Sequence, residues 1–166
     1  MYQDEFMQRA IALSSHSLQV DGTQPFGAVV VQDGKIVGEG FNHAVSKCDP
    51  TSHGEIEAIR DACKRLQTLD LTGCELYTSC EPCSVCVATM YGVGITKIYY
   101  AADLKSSTEA FLPLSDTVYK NIDTDWVRTE VGLPIGQRSM PCSQHHAEKA
   151  TEVIQQWAQA KSKELK

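Results

Sequence analysis

Two short segments constrain this chain more than anything else in it: Ser52-His53-Gly54-Glu55 and Glu81-Pro82-Cys83-Ser84-Val85-Cys86. One imidazole and two thiolates give a metal ion three protein ligands and leave the fourth tetrahedral position open, the pattern of a catalytic rather than a closed zinc site. Cys83 and Cys86 are three apart, so at a helix start they fall on one face and can grip a single ion. Pro82 suits the first helical position, where its missing N–H costs nothing, and the positive helix end favours thiolates. His53 and Glu55 are only two apart and cannot share a helix face. Both can reach one metal only if it lies beyond the N-terminal end of their helix, and Thr51-Ser52 supplies a candidate N-cap there. Whatever fold forms must bring these two helix starts together.

The rest of the chain supplies elements able to do so. Phe6, Met7, Ala10, Ile11, Leu13 and Leu18 recur at helical spacing and predict an opening amphipathic helix from Asp4 to Leu18. Asp33-Gly34 sits between the apolar runs Ala28–Val31 and Lys35–Val37, a strong hairpin signal. A second helix is expected from about His53 to Leu66, with Ile56, Ile59, Ala62, Cys63 and Leu66 buried. Leu76–Thr78 and Ile95–Ala101 read as strands, and Cys83 to about Tyr91 as a helix. Strands alternating with helices imply an α/β layered domain. From about Leu104 to Pro141, Pro and Gly suggest loops with one short helix around Asp116–Ile122. A last helix is expected from about Gln144 to Lys161, with Ile154, Trp157 and Ala158 on one face. Nothing marks a second domain, so residues 1–166 are read as one, in which the segment from about 140 to 166 either packs on its own core or docks on a neighbouring subunit.

Each motif residue also has a plainer reading. Ser52-x-x-Glu55 fits a capping box, in which Glu55 only satisfies a backbone N–H. His53 alone fits a surface or core histidine, and Cys83-x-x-Cys86 alone fits a redox pair. Cys80, three residues before Cys83, could complete a closed structural zinc site or begin an iron–sulfur site. A closed site would leave Glu55 without a chemical task, and the fourth thiol of an iron–sulfur cluster is not evident nearby. Seven cysteines, an odd number, argue against a disulfide framework.

Charge and hydropathy narrow the partners. Fifteen basic residues against 21 acidic ones give a formal net charge of −6, with only Lys161, Lys163 and Lys166 as a sparse basic tail. That disfavours nucleic acid, whose binding needs a basic face. No run of ~18 apolar residues exists to span a membrane. The acidic start Met1-Tyr2-Gln3-Asp4-Glu5 is unlike a signal peptide, so a cytoplasmic protein is expected.

The two segments together form H-x-E…P-C-x-x-C, the signature of zinc-dependent nucleobase deaminases. With Pro25-Phe26-Gly27-Ala28 and Tyr77-Thr78-Ser79-Cys80-Glu81-Pro82-Cys83, the chain resembles the cytidine deaminase-like superfamily from about Asp21 to Ala102. Asp49-Pro50-Thr51, Glu57-Ala58-Ile59-Arg60 and Ala101-Ala102 are similar to the small bacterial guanine deaminases. Gly54 stands where those enzymes more often carry alanine and some cytosine deaminases carry glycine; the departure bears on the substrate and not on the metal. The resemblance implies a three-layer α/β/α sandwich around a mixed five-stranded sheet, a homodimer, and one Zn²⁺ per chain on His53, Cys83 and Cys86. It further implies Glu55 as the catalytic acid–base, Asn42 bonding the substrate and Phe26 forming a wall of the base pocket. An acid after the last core strand, Glu109 or Asp116, is expected near the purine amino group. It also implies a C-terminal segment that closes over the partner's site. Taken alone, Asn42 reads as a turn residue, Phe26 as core, and both acids as solvated.

The expected activity is hydrolysis of guanine to xanthine and ammonia. Deamination of cytosine, guanosine or another small base or nucleoside is the alternative. A tRNA adenosine deaminase and a non-catalytic zinc-stabilised binding module are further readings. Glu55 separates the last from the enzymes, because a purely structural site needs no carboxylate beside its metal.

Overall fold

The structure is a computed structural model and describes residues 1–114 and 122–164. Contacts divide the chain into two compact units, Met1–Val127 and Arg128–Lys166.

In the first unit, α1 (Asp4–Ser14) runs into a short 3₁₀ turn (Ser15–Leu18) and then a hairpin, β1 (Gln24–Gln32) and β2 (Lys35–Asn42). The turn residues Asp33 and Gly34 both have positive φ, 49° and 71°, as expected of a two-residue hairpin loop. Next come α2 (Gly54–Leu66), β3 (Glu75–Cys80), α3 (Ser84–Gly92), β4 (Lys97–Ala102) and α4 (Leu104–Phe111). The sheet order is β2-β1-β3-β4, with β1 antiparallel to both neighbours and β3 parallel to β4. The sheet is therefore mixed and flanked by helices, as expected.

Alternate residues of β1 serve opposite layers, because side chains change face at every residue of a strand. Ala28 and Val30 pack with Ile56, Ile59 and Ala62 of α2 and with Cys86 and Met90 of α3. Val29 and Val31 pack with Tyr77 and with Phe6, Met7 and Leu13 of α1. Burial on both faces explains why this strand reads as an unbroken apolar run. Ile11 of α1 and Leu18 of the 3₁₀ turn lie outside this core, 47% and 83% exposed, so the predicted stripe is narrower than the periodicity implied and α1 ends before Leu18.

Two expectations are corrected. The described residues contain four strands, not five: after β4, Asp103 caps a helix, its side chain accepting from the Ser106 N–H at 2.7 Å, and the chain continues helically rather than adding a strand. The stretch from about 104 to 141 is not chiefly loop, since it holds α4 and α5 (Thr124–Gly132). The short helix expected around Asp116–Ile122 falls largely on residues 115–121, which lie outside the described residues, as does Asp116.

The second unit begins within α5 and carries α6 (Ala147–Glu164), three residues beyond the expected start and end. Arg138 ties it internally, donating from Nε to the Leu133 carbonyl at 2.9 Å. None of the α6 residues is buried. No helix among the described residues is long and apolar enough to cross a membrane.

Candidate metal centre

The segments after β2 and β3 lead into α2 and α3, and the first turns of the two helices meet. His53 is the N-cap of α2 (φ −77°, ψ 157°) and Cys83 the N-cap of α3 (φ −74°, ψ 170°), both with extended backbone. Each therefore projects past a helix end instead of from a helix face. This resolves the spacing of His53 and Glu55, which needed a site beyond the helix start. It also moves Pro82, expected as the first helical residue, to the position before the cap.

The three ligand atoms form one tight triangle. The Sγ atoms of Cys83 and Cys86 are 3.6 Å apart, and each lies 3.5 Å from Nδ1 of His53. Tetrahedral zinc with ordinary bond lengths would set these separations at about 3.8 Å and about 3.6 Å. The donor set therefore fits zinc in chemistry and in dimensions. His53, Cys83 and Cys86 are the group of metal-capable side chains found among the described residues. Cys80 is outside it: its Sγ faces the Asp103 carbonyl at 3.9 Å, at the start of α4. Neither the closed zinc site nor the Cys80-based cluster is formed. None of the seven cysteines is in a disulfide.

The electrostatics follow from the crowding. Cys83 is held down to about 4, first by its hydrogen bond with Cys86 and then, against burial, by His53. Cys86 is pushed up in turn. His53 is raised, chiefly by its bond with Cys83. Burial pushes Cys80 up to about 11, so it stays a neutral thiol.

Glu55 sits inside this group, 5% exposed. One carboxylate oxygen, Oε1, accepts from the Thr78 hydroxyl at 3.2 Å, and Oε2 accepts from the Cys86 thiol at 3.4 Å. Burial pushes its carboxyl up. The capping box is not formed, because the Ser52 hydroxyl donates instead to Glu57 Oε1 at 2.9 Å. Glu57 also binds Lys47 and Arg60, tying the loop before His53 to α2.

The expected substrate contacts are placed unevenly. Asn42 ends β2, 2% exposed, with Oδ1 accepting from the Ala44 N–H at 2.9 Å, which meets the turn-residue reading. Its neighbour His43 donates its N–H to the Ser52 carbonyl at 2.9 Å, which links this strand end to the metal-ligand loop. Phe26 is half-buried, its ring stacked on Phe111 of α4 at 5.6 Å, and its backbone abuts Gly54. Glu109 is an exposed residue of α4 rather than of a loop. Sequence reasoning missed Thr78 and Phe111. The Asp103-x-x-Ser106 cap would have revealed α4.

The family described as the cytidine and deoxycytidylate deaminase zinc-binding region matches residues 1–102. Guanine deaminase from Bacillus subtilis is 36% identical over 141 residues, 85% of this chain and 84% of that relative. Its X-ray structure superposes with a TM-score of 0.80 at 34% identity, covering 96% of this chain and 95% of that one. A tRNA-specific adenosine deaminase from Aquifex aeolicus is 35% identical over 102 residues, 61% of this chain and 67% of that relative. A crystal structure in complex with 2,6-diaminopurine superposes with a TM-score of 0.59 at 30% identity, covering 64% of this chain and 59% of that one.

Proposed function

The chain belongs to the cytidine and deoxycytidylate deaminase zinc-binding family, and we propose that it hydrolyses the exocyclic amine of a free purine base, guanine to xanthine and ammonia. The observation that carries the reading is the triangle of His53, Cys83 and Cys86 with the Glu55 carboxylate beside it, 3.4 Å from Cys86. The likeness to a guanine deaminase over nearly the whole chain supports the choice of base. The tRNA deaminase likeness stops at 61% of the chain.

His53, Cys83 and Cys86 hold one zinc ion per chain. When bound, zinc supplies Lewis-acid activation, lowering the pKa of a water molecule towards ~7. Glu55 takes a proton from the attacking water as its oxygen bonds to C2 of the base, and delivers one to the ring nitrogen beside that carbon. It then assists proton transfer to the amine, the C2–N bond breaks, and ammonia leaves. A buried carboxyl pushed up by its surroundings is suited to both accepting and donating within one cycle. Asn42 hydrogen-bonds the base, Phe26 forms one wall, and Glu109 or Asp116 accepts from the purine amino group.

The active assembly in this reading is a homodimer in which the segment from about 140 to 166 closes over the partner's site. It is supported by α6, on which Val153, Ile154 and Trp157 are each about two-thirds exposed. Apolar groups so placed need a covering surface.

The test is ammonia release by the zinc-loaded protein from guanine, guanosine, adenine, cytosine, ammeline and a tRNA. Guanine should turn over fastest. Faster turnover of cytosine or of tRNA overturns the purine-base assignment.

A further inference from the structure

Thr78 is a hydroxyl in the wrong place for a purely structural residue. It lies in β3, the strand between β1 and β4, opposite Ala28 on one side and Tyr100 on the other. It is fully buried. Strand alternation points it towards the same layer as Leu76, which packs with Ile56, Ile59 and Met90. A β-branched side chain suits that position, but valine would fill it without desolvating a hydroxyl, which costs free energy unless a partner is present.

Its partner is Glu55. The Thr78 hydroxyl donates to Oε1 at 3.2 Å. The other oxygen of that carboxylate faces the Cys86 thiol at 3.4 Å. The terminal torsion of a glutamate is broad and nearly two-fold, so the side chain by itself does not fix the plane of its carboxylate. A donor held by the central sheet does. β-branching leaves threonine few χ1 choices, so the hydroxyl direction is set by the strand.

We propose that Thr78 is a positioning residue for the reaction: its hydroxyl holds Oε1 so that Oε2 is presented to the metal ligands and the substrate. This rests on Glu55 moving the protons. The hydrogen bond of the Thr78 hydroxyl goes to Glu55, and Thr78 acts through that carboxylate. Thr78 lies within β3, shortly before the cysteine pair, yet its role depends on a contact 23 residues back in the chain.

The test compares Thr78→Val, Thr78→Ser and Glu55→Gln in the zinc-loaded protein, reading zinc content, kcat and KM. Loss of one hydrogen bond to a charged group should lower kcat of Thr78→Val by about 10–100-fold. Zinc content and KM should stay close to the parent protein's, and Thr78→Ser should recover most of kcat. Glu55→Gln in parallel separates the two ideas. A Glu55→Gln variant that is inactive beside a fully active Thr78→Val overturns the role of Thr78 alone. A Glu55→Gln variant that keeps its activity overturns the reading of Glu55 on which it rests. Loss of zinc by Thr78→Val, or a rise in KM matching the fall in kcat/KM, also overturns positioning in favour of a packing role. Should Thr78→Val fail to fold, Thr78→Ala, which also deletes the hydroxyl without adding a methyl, must show the same fall in kcat.

Discussion

The carbonyl oxygen of Phe26 stands so close to Gly54 that a methyl group on Gly54 would meet it at 2.5 Å. The obstacle is main chain, so no side-chain rotation relieves it. The residue between the ligand His53 and the carboxylate Glu55 thus sets how near β1 can come to the metal centre.

Gly54→Ala should therefore push the Phe26 segment away from α2. Overpacking of this kind costs about 1–3 kcal/mol. Zinc content should hold while KM for guanine rises, because the wall moves and the ligands do not. Denaturant unfolding and steady-state kinetics check both halves; an unchanged KM with unchanged stability would contradict the close approach.

Glu57 fastens the loop that carries His53, through Ser52, Lys47 and Arg60. Groups that orient a metal ligand typically contribute 10–100-fold in affinity. Glu57→Ala should weaken zinc binding by roughly tenfold in competition with a chelating dye, with the ligand set intact.

With the metal chelated, Cys83 should be the reactive thiol of the centre. It is held down to about 4 by Cys86 and His53, while burial keeps Cys80 up near 11. The thiolate is the nucleophile. Iodoacetamide at pH 6 should label Cys83 well before Cys80 by mass spectrometry, and zinc should protect it. Equal labelling of the two would contradict the assignment.

Arg9 of α1 grips Glu39 of β2 with two bonds, at 2.7 and 3.0 Å. That contact holds the Glu39 carboxyl below its ordinary 4.5. A carboxyl whose pKa is lower folded than unfolded stabilises above the unfolded value, and that stability is lost as pH falls through the folded one. Both groups are partly exposed, so the pair contributes only about 0.5 kcal/mol. Arg9→Met should cost that much in urea unfolding at pH 7 and close to nothing once pH is well below 4.5. A pH-independent difference would assign the cost to packing.

The helix starts at His53 and Cys83 were legible because ligand chemistry, cap positions and Pro82 all restrict the same few residues. The hairpin at Asp33-Gly34 was legible because positive φ at two successive positions demands such residues. The four-strand count was not, because a fifth strand rested on family likeness and no apolar run after Ala102 called for one. α4 was overlooked although Asp103 and Ser106 mark its cap; Leu104 and Phe111 alone make too short an apolar pattern. Thr78 was hidden for another reason: in a strand, a lone threonine reads as filler until its partner across the fold is known.

The central claim is that Glu55 moves the protons of a zinc-dependent deamination. The measurement that tests it most directly is ammonia release from guanine by zinc-loaded Glu55→Gln beside the parent protein, with zinc counted in both. The account predicts equal zinc and a fall in kcat of about 10²–10⁴-fold or more, since one residue serves several proton transfers. Retention of most of kcat at full zinc occupancy would contradict it.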